Sequence, residues 1–330
     1  MTKELIINAA PQGVEIALLE DKKLVELHNE KADASFGVGD LYLGKVKKLI
    51  PGLNAAFIDV GFEKDAFLHY TDLSPYVRSI LKFTTESIND KSENGFDYTK
   101  FKIEPEIIKT GKIAEVLSGK PNVLVQILKE PIAAKGPRLS CELSLPGRFV
   151  VVTPFNDIIA ISRKIHSSDE RKRLHKIIEA IKPKNLGVIV RTAAEGKHTA
   201  ELHEDLLSLV ATWKTIQTNL KGATPPAKIL SEQGKTTSIL RDLLNEDFNK
   251  IVVNDKNIFS DAKTYIQRIA PDKADIISHY SNGSPIFDSF GITKQVKAAF
   301  GKTVNLPSGA YLIVEHTEAL HVIDVNSGYK

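Results

Sequence analysis

The sequence predicts an α+β chain of several parts. An α/β sheet is split by two insertions, a small closed β-barrel and a hairpin-and-helix unit, and is followed by the opening of a second α/β unit. Three observations predict it. Short alternating strand patterns occupy residues 3–29 and again 39–142; strand and helix patterns alternate beyond Gly222; and a strand–turn–strand pattern follows Gly309.

The elements follow in order. Residues 3–29 read as a three-stranded meander (4–8, 15–20, 23–28), with turns at Pro11-Gln12-Gly13 and Asp21-Lys22. Three short strands cannot close a core. The meander is therefore expected to complete the mainly parallel sheet whose other elements are 227–230, 237–244, 250–253, 256–269 and 274–278. Barrel strands are read at 40–49, 55–60, 65–69, 112–117, 122–128 and 138–142, broken by Pro51-Gly52, Gly61 and Gly119. The polar stretch 74–110 is too long for a barrel loop and reads as a partly mobile insertion. A hairpin, 148–153 with 158–161, turns at Pro154-Phe155-Asn156-Asp157. Next come a helix over 168–181 capped by Ser167 or Ser168, a strand 186–191 and a long helix 199–220. A helix 292–300 and strands 309–315 and 319–324 complete the reading.

Composition bounds the function. A chain of 330 residues has room for two or three domains. Net charge is only +3, so any nucleic-acid surface must be local. The single cysteine, Cys141, excludes an intrachain disulfide framework and a Cys-rich zinc site within these residues, and reads as a small buried side chain. Nothing resembles a signal peptide or a membrane-spanning run, so a reducing cytoplasm is the default compartment. Walker loops, dinucleotide fingerprints and nucleophile elbows are missing from the sequence.

Three constellations could carry chemistry. At 320–328, an apolar run leads into Asp324-Val325-Asn326-Ser327-Gly328; alternation puts Asp324 and Asn326 on one face, with His321, Ile323 and Val325 on the other. A carboxylate beside a carboxamide can hold Mg²⁺ and orient a phosphate. The same residue types favour turns, and from these residues alone a turn is the better reading. In the barrel, Phe57 and Phe67 lie on adjacent strands and could form a stacking platform for single-stranded bases. Filling the barrel core is an equal alternative. Lys45, Lys47, Lys48, Lys129 and Lys135 could supply positive charge nearby, although each alone reads as a solvated lysine.

The third is Val188-Ile189-Val190-Arg191-Thr192, a buried strand ending in a guanidinium and a hydroxyl that could grip a terminal phosphate. Amides near Gly147 and Val151 could add donors, and Ser162-Arg163-Lys164 further charge; a salt bridge to a helix acid is the alternative for Arg191. The basic run 163–176 reads as a solvated helix face. His279, His316 and His321 lack helical metal spacing and read as structural.

In order and spacing, LYLGKVKKLIPGLNAAFIDVG with AFLHYTDL, AAKGPRLS, GRFVVVTP with ISRKI, GVIVRTAAEGK, SHY, LPSGAYLIVEHTEAL and HVIDVNSG resemble the bacterial ribonuclease E/G family across essentially the whole chain. The resemblance implies an RNase H-like subdomain in two parts, 1–38 and 215–282, split by an S1-type (OB-fold) barrel at 39–145 and a 5′-sensor subdomain at 146–214. Residues 283–330 would start a DNase I-like catalytic subdomain.

It also implies a cytoplasmic, Mg²⁺-dependent endoribonuclease acting in RNA processing and decay, cutting single-stranded A/U-rich RNA and preferring a 5′ monophosphate. On this resemblance Arg191 and Thr192 bind that phosphate, helped by backbone at Gly147 and Val151 and by Arg163; Phe57, Phe67 and Lys135 contact RNA; Asp324 ligands Mg²⁺ and Asn326 orients the scissile phosphate or the water. The family's second metal-binding Asp and its zinc-linking Cys-x-x-Cys have no counterpart in these 330 residues, so the expectation is RNA binding without cleavage. A homodimer or higher homo-oligomer is an open expectation for the full-length protein. A non-catalytic RNA-binding scaffold and a DNA-directed nuclease are the competing readings.

Overall fold

The computed structural model describes residues 2–31, 36–91, 98–132, 135–232, 234–244 and 247–328. Contacts divide the chain into two units, Met1–Asp33 with Lys235–Lys330, and Ala34–Gly234.

In the first unit one sheet runs in the order Ile277–His279, Phe248–Val253, Lys3–Ala10, Gly13–Glu20, Lys23–Lys31. The first three strands are parallel and the last two turn back antiparallel, so the N-terminal meander and the later α/β strands share one sheet. Both faces are covered. Leu5, Ile7, Ile16 and Leu18 pack with Leu240 and Ile266 of the helices Lys235–Leu243 and Lys256–Ile269. Ile6, Ala17 and Leu19 pack on the opposite face with Ile286, Phe287 and Ile292. Two-sided burial explains why these strands read as nearly continuous apolar runs, Leu5-Ile6-Ile7 and Ile16-Ala17-Leu18-Leu19. A separate antiparallel sheet joins Thr303–Asn305, Tyr311–His316 and His321–Asn326.

In the second unit a closed barrel is formed by Leu41–Ile50, Ala55–Asp59, Ala66–His69, Arg138–Ser140 and Asn122–Lys129, the last pairing back onto the first. Ile58, Leu68 and Val123 are fully buried inside it. Gly44 permits the tight closure, since a Cβ there would lie 2.5 Å from Ile58 Cγ2.

Four expectations are corrected here. Residues 112–117 form no barrel strand. Ile113–Val116 is a short helix, because Ile113 and Leu117 lie four apart and both are buried. Ala227–Leu230 does not join the α/β sheet; it pairs antiparallel with Leu41–Ile50 at the barrel edge, where Lys228 Nζ bonds Asp40 at 2.7 Å. The expected hairpin is split. Val150–Pro154 and Ile159–Ile161 both pair with Leu186–Val190, which lies between them. Asp157 favours this, accepting from the Asn185 amide at 2.9 Å and from Lys182 at 2.6 Å at the mouth of that inserted strand.

The fourth concerns the polar stretch 74–110, whose helix and large rings pack into the core while residues 105, 106 and 108–110 stay exposed; residues 92–97 lie outside the description. Helix Val77–Asn89 buries Val77, Ile80 and Phe83 along one face. Phe83 stacks on Trp213 with centroids 4.9 Å apart, and meets Phe155, Tyr98 and Phe101 edge-on at 5.4, 5.9 and 6.1 Å. The Tyr98 hydroxyl donates to the Asn185 carbonyl and accepts from the Phe155 amide, and burial raises its pKa. This aromatic cluster joins the barrel side of the unit to the sheet containing Leu186–Val190. Among the described residues no helix is long and apolar enough to cross a membrane.

Candidate functional site

The barrel strands Ala55–Asp59 and Ala66–His69 alternate between an inward and an outward face. Ala56, Ile58, Ala66 and Leu68 are buried inward, whereas Phe57, Phe67 and His69 are half-exposed on the outer face. Phe57 and Phe67 are direct cross-strand partners, their rings 6.1 Å apart at 66°. The alternative that both rings fill the barrel core is therefore excluded. His69 continues the row, with its ring 6.5 Å from Phe67 at 24°. Its Nδ1 accepts from the Thr71 amide at 3.2 Å and meets the Thr71 hydroxyl at 2.7 Å, so a ring proton, where single, sits on Nε2. His69 was missed in the sequence although it shares the parity of Phe67 two residues on.

Charge borders this face unevenly. Lys48 is exposed directly across from Phe57. Lys47 is engaged by Asp59 at 3.2 Å and Asp65 at 2.8 Å, which raise its pKa. Lys45 and Lys129 are exposed. Lys135 is exposed in the segment that reaches Pro137, whose carbonyl accepts the Phe67 amide at 2.9 Å. Arg138, the strand neighbour of Phe67, is held by Asp72 through Nε at 2.9 Å and Nη2 at 3.1 Å.

The second cluster lies where Leu186–Val190 ends. Arg191 is half-buried; its amide donates to the Phe149 carbonyl at 2.8 Å and its Nη1 to the Gly147 carbonyl at 2.7 Å. Thr192 is exposed, its hydroxyl 2.9 Å from that of Ser162. Arg163 and Lys164 are exposed on the adjoining turn. Arg171 holds that turn from beneath, with Nη1 donating to the Ser162 carbonyl at 2.7 Å and the Ile165 carbonyl at 3.3 Å. The far side of the loop is pinned by Glu170, which accepts from Gly196 at 2.8 Å. The paired Arg173 guanidinium, at 2.6 Å, pulls the Glu170 carboxyl down to about 2.

Gly147 differs from its expected use as an amide donor. Its N–H already bonds the Val150 carbonyl at 2.8 Å. Asp205 explains the glycine: its carboxylate accepts from the amides of Arg148, Phe149 and Val150 at 3.1, 2.8 and 3.0 Å, and a Cβ on Gly147 would fall 2.5 Å from it. Asp205 thus shapes the loop whose carbonyl anchors Arg191, a role invisible from an ordinary acid on a helix. Val151 lies within the sheet, opposite Ile189 and Pro146.

Asp324 and Asn326 lie on the edge strand His321–Asn326, where the Asn326 amide donates to the Asp324 carboxylate at 3.1 Å. Both sit on an extended strand, which overturns the reading of this stretch as a turn through Asn326. Asp324 is exposed, and no Lys or Arg among the described residues pairs with it. Among the described residues no group of three His, Cys, Asp or Glu could hold a metal. One hard, exposed carboxylate beside a carboxamide fits Mg²⁺ as a partial ligand set, the ion taking its remaining oxygens from water and phosphate.

Residues 144–330 match the model of the Ribonuclease E/G family. The chain is 34% identical to Ribonuclease G of Haemophilus influenzae over 98% of its own length and 62% of the relative's. It is 36% identical to Ribonuclease E of Nostoc sp. over 99% of itself and 44% of that protein, and 30% identical to Ribonuclease G of Escherichia coli K12 over 99% and 63%. The chain thus spans less than two thirds of the length of these relatives.

Proposed function

The chain belongs to the ribonuclease E/G family, and from that premise we propose that it binds single-stranded RNA and contributes to endonucleolytic RNA cleavage. The observation that carries the reading is the outward pair Phe57–Phe67, half-exposed on a barrel whose inward positions are apolar and filled. Two rings at cross-strand spacing offer a sequence-tolerant surface to bases, each stacked base being worth roughly 1–3 kcal/mol. The row His69, Phe67, Phe57 sets the direction of the strand; Lys48 and Lys135 supply charge for its phosphates.

Within the same reading, the barrel is an S1-type OB-fold, the α/β sheet of the first unit RNase H-like and residues 283–330 part of a DNase I-like subdomain. The preferred substrate is A/U-rich RNA with a 5′ monophosphate. In this reading the Arg191 guanidinium, oriented by the Gly147 carbonyl, binds the phosphate oxygens; the Thr192 hydroxyl donates beside it, and Arg163 adds long-range attraction. A 5′ hydroxyl cannot make this charge-assisted contact, which is the source of discrimination. At the hydrolytic step Asp324 would hold Mg²⁺ and the Asn326 amide, now resting on Asp324, would turn to orient the scissile phosphate or the attacking water. When bound, the ion supplies charge neutralisation and a more acidic water. The setting is cytoplasmic RNA processing, and assembly into homo-oligomers belongs to the same proposal.

The test compares a 5′-monophosphorylated A/U-rich oligoribonucleotide with its 5′-hydroxyl twin, by binding and by Mg²⁺-dependent cleavage. Tighter binding of the monophosphate, lost in Arg191→Ala, is expected; equal affinity for both would remove the sensor from the proposal. Cleavage that disappears in Asp324→Ala supports the hydrolytic role. RNA binding without cleavage is the outcome expected of these 330 residues themselves, and better competition by single-stranded DNA would redirect the reading to DNA.

A further inference from the structure

Two histidines outside the proposed RNA chemistry are brought together by the fold. His316 ends the strand Tyr311–His316 and His321 begins His321–Asn326, and they are direct cross-strand partners. Their Nδ1 atoms are in contact and their rings lie 4.5 Å apart at 83°. Five residues apart in sequence, they have no helical metal spacing; the hairpin supplies what sequence spacing does not. Thr317 fixes the connection, its hydroxyl donating to the Leu320 carbonyl at 2.8 Å and accepting from the Leu320 amide at 3.0 Å.

Two neutral imidazole nitrogens cannot face each other bare, because each directs a lone pair at the other. One ring's own N–H hydrogen relieves this as an N–H···N bond, and so does a cation shared between the two rings. We propose that His316 and His321 form a two-histidine site for a borderline divalent ion of the Zn²⁺, Cu²⁺ or Ni²⁺ class, completed by water. Imidazole favours these ions over Mg²⁺. At Zn–N lengths near 2.1 Å and a tetrahedral angle, the two nitrogens sit about 3.4 Å apart, reached by a small outward rotation of two exposed rings. Strand alternation puts this pair on the face opposite Asp324, so the site is separate from the hard-oxygen position proposed for Mg²⁺. An ion here would clamp the turn end of the hairpin that carries Asp324 and Asn326.

The experiment titrates the chain with ZnCl₂ in excess Mg²⁺, following heat and the imidazole nitrogen resonances. One saturable Zn²⁺ per chain is expected, shifting His316 and His321 together. In His316→Ala and His321→Ala alike, affinity should fall by at least the roughly tenfold that loss of even an outer-shell partner costs a metal site. Both side chains are exposed, and a circular-dichroism spectrum of each variant checks that the sheet survives. No saturable binding, binding unchanged in either variant, or a shift confined to one of the two histidines would overturn the proposal.

Discussion

The second unit holds two groups of aromatic rings that teach opposite lessons. Phe83, Tyr98, Phe101, Phe155 and Trp213 interlock at 4.9–6.1 Å with little or no exposure, while Phe57, Phe67 and His69 line up at 6.1–6.5 Å on an open face. Ring geometry is nearly the same in both. What differs is the neighbours: the first group fills the space between layers, and the second stands on a strand whose alternate residues have already filled the barrel. Stability is carried by the first and recognition by the second, so substitutions should separate cleanly.

The largest expected effect is Phe83→Ala, which should cost about 3–5 kcal/mol of stability, read by denaturant unfolding, because a fully buried ring leaves a cavity. A loss below about 1 kcal/mol would mean that the cluster is not a packed core. Asp205→Ala comes next. Orphaning the amides of residues 148–150 should cost on the order of 1–3 kcal/mol and loosen the Gly147 carbonyl from Arg191, so preference for a 5′ monophosphate should fall with stability. In contrast, Phe67→Ala should weaken RNA binding by roughly 1–3 kcal/mol while leaving unfolding nearly unchanged. If it unfolds the protein as Phe83→Ala does, the contrast between the two groups fails.

The smallest effect is a pH dependence. Glu170 titrates near 2 in the folded chain, below its unfolded value, so its contribution is present above the unfolded value and is lost as pH falls from about 4.3 towards 2. The stability gap between the wild type and Glu170→Gln should close over that window and be constant from pH 5 to 7. A gap that widens on acidification would contradict the Arg173–Glu170–Gly196 tether.

Much of this architecture was legible in the residues. The meander showed because alternation and turn residues coincide, and the helix Thr199–Leu220 because its apolar spacing is long and regular. The 74–110 stretch misled because its few large rings, Phe83, Tyr98 and Phe101, are scattered among polar residues and converge only in three dimensions. The split hairpin misled because adjacent strands in sequence usually pair, and nothing local reveals that Leu186–Val190 will enter between them. At the sites, Arg191 and Thr192 were visible as a polar ending on a buried strand, and Phe57 and Phe67 as a pair, though not the face they occupy. Asp205 and the His316–His321 contact depend on partners distant in sequence or across a strand register, which composition does not encode.

The central claim is that the outward rings of the barrel hold RNA. Fluorescence anisotropy with a 5′-monophosphorylated A/U-rich single strand, using the wild type and the double variant Phe57→Ala, Phe67→Ala, tests it most directly. A loss of about tenfold or more in affinity, with the unfolding midpoint preserved, is predicted. Unchanged affinity in a folded double variant would contradict it.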